Sequence, residues 1–395
     1  MKILVLHSEL GVLRGGGENF TRNLFEAFHK RGHDIWAAFV ADQNGKYPFT
    51  MPPSVHPMPI PGWWVSELGQ STLSTIGSCI APFGWLKSKW NHLQNAIHWR
   101  THRWHNDRFR RRIEHEFFGT WNNFDAIYVH HDCRLAAKVS QYRPTILRLA
   151  GPLSPQMVPL LRAVHAVCAN GDALVQTQKI LDGRAIELPI GVNTTTFSPG
   201  MTSIRGSLGW TDRDFVIGYV GRLLRLKGVD ILAAAFKEIS RRVPHARLLM
   251  VGSGEKLRLI KTILRDEIDR GLVHLEADVP HYGLADWYRT MNLFVMPSRY
   301  ENFSNAILEA LACGVPFLAS DVGGNRVLAK AVGGFLFSES SVPSLAMSLH
   351  QIIENCQELR AQESLRAEHV RRNYSWTVTA ECLESIIRSG LVVKK

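Results

Sequence analysis

In the stretch SRYENFSNAILEALACGVP (Ser298–Pro316), Glu301 and Glu309 are the only acidic residues and Arg299 the only basic one. Glu309 lies among Ala306, Ile307, Leu308, Ala310, Leu311 and Ala312. An ionised carboxylate left unpaired in such surroundings costs several kcal/mol. A partner is therefore expected, and a pair of ribose hydroxyls would serve; the alternative is a solvent-facing Glu309 on an amphipathic helix. LFVMPS reads as a strand and RYENF as the loop at its carboxyl end. Ser304 suits an N-cap and Gly314 a C′ residue ahead of Pro316. Glu301 then falls in the loop and Glu309 in the second turn of the helix. Asn302, Phe303 and Ser304 lead into a helix N-terminus, where unpaired N–H groups make a seat for phosphate.

Three further clusters follow predicted strands. In VGRLLRLKG (Val220–Gly228), Gly221 permits a sharp turn, and Arg222 and Lys227 suit a diphosphate through charge-assisted hydrogen bonds; the plain alternative is two surface cations. RGGGENF (Arg14–Phe20) offers Gly15, Gly16 and Gly17 for a nest of backbone N–H groups at a helix start, although it is neither GxGxxG nor a Walker loop, and a flexible loop would look the same. YVHHDC (Tyr128–Cys133) would bring His130, His131 or Asp132 towards a cleft, where an imidazole can donate a hydrogen bond or carry a proton near neutral pH; a purely structural histidine is the alternative.

Two metal-like patterns are set aside. DRD (Asp212–Asp214) precedes a strand, at the wrong end for a cleft, and reads as a turn. HWRTHRWH (His98–His105) spaces imidazoles as on a helix but has Arg and Trp neighbours in place of further ligands. No metal is expected.

The elements that must position these residues alternate strand and helix along the chain. Strands are expected at Ile3–Leu6, Asp34–Val40, Ala126–Val129, Thr145–Leu149, Ala166–Cys168 and Ala185–Leu188, and again at Phe215–Val220, Ala246–Val251, Val273–Glu276, Leu293–Pro297 and Pro316–Ser320. This alternation predicts an α/β architecture of two doubly wound, Rossmann-like domains facing across a cleft. The turn-rich LPIGVNTTTFSPG (Leu188–Gly200) sets the boundary: 1–195, then 196–374, with 375–395 a final helix.

Bulk properties agree. A length of 395 residues suits two domains, and 45 % apolar with 21 % charged residues suits globular cores. The six cysteines are scattered without zinc spacing, which points to a reduced, cytoplasmic setting. MKILVLHSEL reads as a buried first strand rather than a leader, and no window carries the run of apolar residues a spanning helix needs. A formal charge of +11 favours anionic partners without choosing among them.

Taken together, these pieces resemble the retaining glycosyltransferases of GT-B fold, family 4. Glu301 and Glu309 stand as Glu-x7-Glu. GRLLRLKG looks like Gly-Arg-x4-Lys-Gly, GGGENF is similar to a Gly-Gly-x-Glu loop, and RGHDI to a Gly-His-x-Val turn. DVGGN (Asp321–Asn325) also fits, and LPIGVNTTTF resembles a Pro-Asn-Gly-Val-Asp hinge with Ile190 in place of Asn. The resemblance implies a metal-free enzyme without cofactor, acting on a UDP- or GDP-sugar. Arg222 and Lys227 would hold the diphosphate and Glu309 the ribose, and Val279 would lie against the base. Glu301 with Asn302, Phe303 and Ser304 would face the sugar and its phosphate, and Gly16 and Gly17 would line the phosphate side. His130 would be the active-site histidine, with His131 as fallback. The last helix, around Trp376, would cross back to the first domain.

The acceptor side has its own signature. Seven of the eleven tryptophans fall between Trp63 and Trp121, and Trp85–Glu116 holds eight Lys/Arg against three acidic residues. Leu86, Trp90, Leu93 and Ile97 follow helical spacing. Such a region, about 60–121, is expected to dock on an anionic membrane surface at the inner face of the cell membrane, where a lipid-linked or saccharide acceptor waits; the alternative is an insertion packed on its own domain. A nucleic-acid-binding protein would share the basic charge but has no need of the cleft motifs, so nucleic acid is not an expected partner. A sugar-nucleotide epimerase or a catalytically silent partner subunit are the other readings. The Glu-x7-Glu pattern opposes the first, and intact Arg222, Lys227, Glu301 and Glu309 the second.

Overall fold

The apolar runs do become strands, and all of them pair in parallel. In the computed structural model, the described residues are 1–10, 16–42, 44–47, 51–61, 106–151, 153–277, 279–338, 341–356 and 362–392. Among them, the first half forms one sheet from β1 (Lys2–Leu6), β2 (Asp34–Ala41), β3 (Val55–Pro61), β4 (Ala126–His130), β5 (Thr145–Arg148), β6 (Ala166–Ala169) and β7 (Ala185–Glu187), in the order β3-β2-β1-β4-β5-β6-β7. The second sheet comprises β8 (Phe215–Val220), β9 (Ala246–Val251), β10 (Val273–Glu276), β11 (Leu293–Met296), β12 (Phe317–Ser320) and β13 (Phe335–Phe337), in the order β10-β9-β8-β11-β12-β13.

Strand order reverses between β1 and β4 in the first sheet and between β8 and β11 in the second. In open α/β sheets the chain leaves such neighbouring strands in opposite directions, and the crevice at their carboxyl ends takes ligands. The loops after β1, β4, β8 and β11 are thus the ones the topology puts at a site.

β3 was not expected. Its sequence, VHPMPIP, carries three prolines. They sit at alternate positions, opposite Ala37, Phe39 and Ala41. Alternate residues turn their nitrogens to the same side, so an edge strand accommodates them on its unpaired side. β3 and the helix at 106–116 hold the described ends of the expected insertion, about 60–121. The described residues at both its ends belong to the first half: Ile60, Phe109, Ile113, Phe117 and Trp121 are all buried in that core. Arg110 donates through Nε to both oxygens of Asp132, at 3.0 and 2.8 Å. HWRTHRWH and all the tryptophans from Trp63 to Trp104 lie outside the described residues.

The chain crosses between the halves twice, and the crossings touch. The amide of Val192 donates to Tyr374 O at 2.7 Å, and Val192 pairs with Ser375 in an isolated parallel bridge. The final helix, Trp376–Val392, then packs on the first, Gly16–Lys30. Arg31 ties the two, reaching Glu381 and Glu384 at 2.9 Å each. No helix among the described residues is long and apolar enough to cross a membrane.

Candidate active site

Both topological crevices are occupied by ionisable side chains. In the carboxy-terminal half, the turn after β8 carries Lys227 and the loop after β11 carries Glu301. Lys227 Nζ donates to Glu301 Oε2 at 2.6 Å, and Glu301 is only 8 % exposed. The approach depends on Gly228. It has φ +65°, and a Cβ there would stand 1.7 Å from the carbonyl oxygen of Pro297 at the end of β11, so no side chain fits. Arg222 is exposed at the same turn.

Beyond Glu301, Ser304 caps the helix Asn305–Ala312 by accepting from the amide of Ile307. This is the N-cap expected from the sequence, and it aims the helix N-terminus at the carboxyl ends of β8 and β11. Asn305 lines the cavity described below, and Glu309, four residues on, lies beneath it on the same helix face. Glu309 is buried and both its oxygens are engaged. His281 Nε2 lies 2.8 Å from Oε1, and the Tyr288 hydroxyl donates to Oε2 at 2.8 Å. The solvent-facing alternative is thereby overturned, and the expected partner is met from within the protein. Burial, then the charge of Glu309, push the Tyr288 phenol well above its usual pKa, so it stays a donor. The hydrogen bond to Glu309 raises the pKa of His281.

In the amino-terminal half the crevice holds His7, just after β1, and His130, at the end of β4. Their rings stack with centroids 4.0 Å apart. Thr21 Oγ1 stands 3.0 Å from His7 Nδ1 and 3.4 Å from His130 Nδ1, and donates to Gly17 O at 3.0 Å. Burial, then the charges of His7 and Arg148, hold the pKa of His130 well below the usual value, so the ring is neutral at neutral pH. Gly17 is essential to its placement: a Cβ there would lie 2.7 Å from His130 Nε2. Gly16 opens the first helix beside it; Gly15 lies outside the described residues. His131, the fallback, has φ 53°, and its Nδ1 accepts from the amide of Ala150 at 3.2 Å. Asp132 caps the helix Cys133–Val139.

A cavity of about 420 Å³ joins the two walls. Gly17, Arg148, Ala150, Asn170 and Ile190 line one side. Arg222, Lys227, Glu301, Asn302, Phe303 and Ser304 line the other. His130, Val279 and Glu309 are not on the lining; His130 lies against Gly17, and Val279 precedes the turn His281–Gly283 that engages Glu309. Asn302 spends its polar atoms between the halves: Oδ1 accepts from the amide of Ala173 at 2.8 Å, and Nδ2 donates to Ala150 O and Asn170 Oδ1 at 3.4 and 3.3 Å. A larger cavity, about 540 Å³, opens at the amino ends of the second sheet's strands. Its Arg205, Arg289 and Arg366 are hydrogen-bonded to backbone carbonyls. Asp214, of the DRD pattern, accepts from the Thr211 amide and pairs with Arg247, both at 2.7 Å, as a turn residue would.

His7, Arg148, Asn170 and His281 were not singled out from the sequence. The rule that pointed to His130, a position just after an expected strand, also covers His7 and Asn170, whereas Arg148 falls within the strand itself. His281 had no such signal, since its partner lies 28 positions away.

Two parallel sheets whose reversal points face one cavity define the GT-B class of glycosyltransferase fold. Comparison with known proteins agrees. The chain superposes over its full length on a sucrose-phosphate synthase from Thermosynechococcus elongatus (TM-score 0.69, 19 % identity, 100 % of both chains). Over 98 % of its length it superposes on the Anabaena protein HepE in complex with UDP (TM-score 0.67, 19 % identity, 100 % of that chain). Residues 214–355 match the family model described as Glycosyl transferases group 1. Among curated relatives, a D-inositol 3-phosphate glycosyltransferase of Segniliparus rotundus is 34 % identical over 211 residues, 52 % of this chain and 46 % of the relative. A GDP-mannose-dependent monoacylated alpha-(1-6)-phosphatidylinositol monomannoside mannosyltransferase of Corynebacterium glutamicum is 28 % identical over 213 residues, 51 % of this chain and 55 % of the relative. The match thus spans about half the length of these curated relatives.

Proposed function

We propose that the chain moves a sugar from a nucleotide-sugar donor to an acceptor bound in the cleft, with residues 196–374 holding the donor and 1–195 the acceptor. The observation that carries this reading is the grouping of Arg222, Lys227, Glu301 and a capped helix N-terminus on one wall of a cavity whose other wall includes Gly17. In this reading Arg222, Lys227 and that helix terminus neutralise the departing nucleoside diphosphate, the task a metal performs elsewhere. Glu301 faces the sugar, and Glu309 binds the ribose by exchanging His281 for hydroxyl donors. Neutral His130 presents Nε2 towards the cavity across Gly17. In this reading the acceptor attacks on the face from which the leaving group departs, which retains the anomeric configuration.

UDP and UDP-glucose complexes of the Anabaena protein, and GDP-mannose in the name of the Corynebacterium relative, support a UDP- or GDP-linked donor. The inositol phosphate and phosphatidylinositol names among the relatives support a polar, phosphorylated or lipid-linked acceptor. Docking of the basic region at about 60–121 on the inner membrane face belongs to the same proposal; binding of the purified protein to anionic liposomes at low salt tests it. The deciding experiment is a thermal-shift series over UDP, GDP and their sugars. Stabilisation by one of these, lost in Lys227→Ala and Glu309→Ala variants that still fold, is the expected result. No stabilisation by any of them would end the donor reading.

A further inference from the structure

The amino-terminal wall of the cavity contains a buried cation, Arg148, two of whose nitrogens have no hydrogen-bond partner among the described residues. Arg148 ends β5, opposite His130 in the sheet register, and lines the cavity while remaining only 4 % exposed. Its guanidinium carbon sits 3.6 Å from the Phe20 ring centroid, which supports one face of the group. The edge donors are another matter. Among the described residues, Nε and Nη1 of Arg148 are buried without a hydrogen-bond partner, and so is Nδ2 of Asn170, which lines the same wall. Leaving a buried charged donor unmade is costly. A guanidinium cannot escape by losing its proton, although burial draws its pKa down. Glu18, 3.5 Å from His7, adds a favourable charge interaction with Arg148 but leaves these two nitrogens without a hydrogen bond.

These orphan groups share one property: they are all donors. A ligand that satisfied them must present acceptors only and carry negative charge, which describes an oxyanion, a phosphate or a carboxylate. The start of the first helix at Gly16 and Gly17 adds its own N–H groups and dipole to the same wall. We propose that Arg148, assisted by Asn170, holds an oxyanion of the acceptor. The assignment to the acceptor rests on the donor reading above. If the donor diphosphate is taken by Arg222 and Lys227 on the carboxy-terminal wall, the cation of the amino-terminal wall is left for the second substrate. Arg148 then selects acidic acceptors and orients them beside His130.

The test uses inorganic phosphate as probe on the full chain, by thermal shift and calorimetry, alone and with saturating UDP or GDP. Phosphate is expected to stabilise the protein further when nucleotide is already bound. Arg148→Met keeps an unbranched side chain beside Phe20 and removes a buried charge whose nitrogens lack hydrogen bonds, so it should melt at or above the wild type without ligand. It should weaken phosphate about tenfold or more while leaving the nucleotide shift in place. Asn170→Ala should weaken phosphate less. Three results would overturn the proposal: no added shift by phosphate on the nucleotide complex, an undiminished phosphate shift in Arg148→Met, or loss of the nucleotide shift itself in that variant, which would give the anion to the donor. A wild type that responds to phosphate through Arg148 but to no nucleotide would instead sink the donor reading, and with it the assignment of this anion to an acceptor, leaving the anion site itself standing.

Discussion

Lys227 and Glu301, 74 positions apart in the chain, form an ion pair of 2.6 Å at the point where β8 and β11 diverge. The pair has two consequences that separate on mutation. Lys227→Ala strands a buried carboxylate, and about 3 kcal/mol of stability is expected to go with it, less if solvent reaches the vacated space. Nucleotide binding should go too. The double variant Lys227→Met with Glu301→Gln should recover most of the stability and none of the binding. Urea unfolding and calorimetry of both proteins check this; recovered binding in the double variant would contradict a direct role for Lys227.

Gly17→Ala addresses the opposite wall. The new Cβ would meet His130 Nε2 at 2.7 Å, so the imidazole must swing away from its stack on His7. A tenfold or greater fall in transfer rate is expected, at near-normal nucleotide affinity, since this glycine adds bulk beside the histidine rather than beside Lys227. Kinetics with saturating donor, together with a thermal shift, distinguish the two.

The His281–Glu309 contact predicts a pH dependence. The hydrogen bond raises the pKa of His281 above 6.5. Its stabilisation is therefore fully present below about 6.5 and is lost as pH rises through the higher folded value. Protonated His281 also competes with ribose for Glu309. Affinity for a nucleotide sugar should accordingly strengthen as pH climbs through that same window, and His281→Asn should flatten the profile. A nucleotide sugar is the right probe because its diphosphate lacks the terminal group that titrates near pH 6.

Glu384 anchors the returning helix. Arg388, then Arg31, hold its carboxyl down at about 2, from an ordinary 4.5. A depressed acid contributes stability above its unfolded value and loses it as pH falls, here between about 4.5 and 2. Because the network is partly solvated, Glu384→Gln should cost only about 1 kcal/mol at neutral pH. The difference from wild type should vanish towards pH 2. Thermal melts across that range measure it.

Most of the fold was legible because buried parallel strands write themselves as short apolar runs, as in FVIGYV of β8 and LFVM of β11. β3 was hidden by Pro57, Pro59 and Pro61, whose tolerance depends on an unpaired edge that sequence does not show. β13, FLF, was hidden by its three-residue length. At the site, the Ser304 cap was readable because an N-cap is a local hydrogen bond. The partners of Glu309 were not, since the need for a partner is written in its apolar neighbours while the identity of that partner depends on how a turn 28 residues earlier folds over it. Asn302 was expected to face the donor. It lines the cavity, but its side chain bridges to Asn170 and Ala173, a contact set by how the halves meet.

The adjoining crossings at Val192 and Ser375 limit what movement the molecule can make. Two covalent links held side by side, with the ring of Trp376 lying over Gly191 where a Cβ would come within 2.4 Å, act like the knuckles of a door hinge. Swinging about the line through them is cheap, whereas sliding or twisting would tear the Val192–Tyr374 hydrogen bond. Any opening of the cavity would then be a change of one angle, opposed by the bonds Asn302 makes across the gap and by the packing of the helix Gly171–Ile180 on the helix Gly323–Val332.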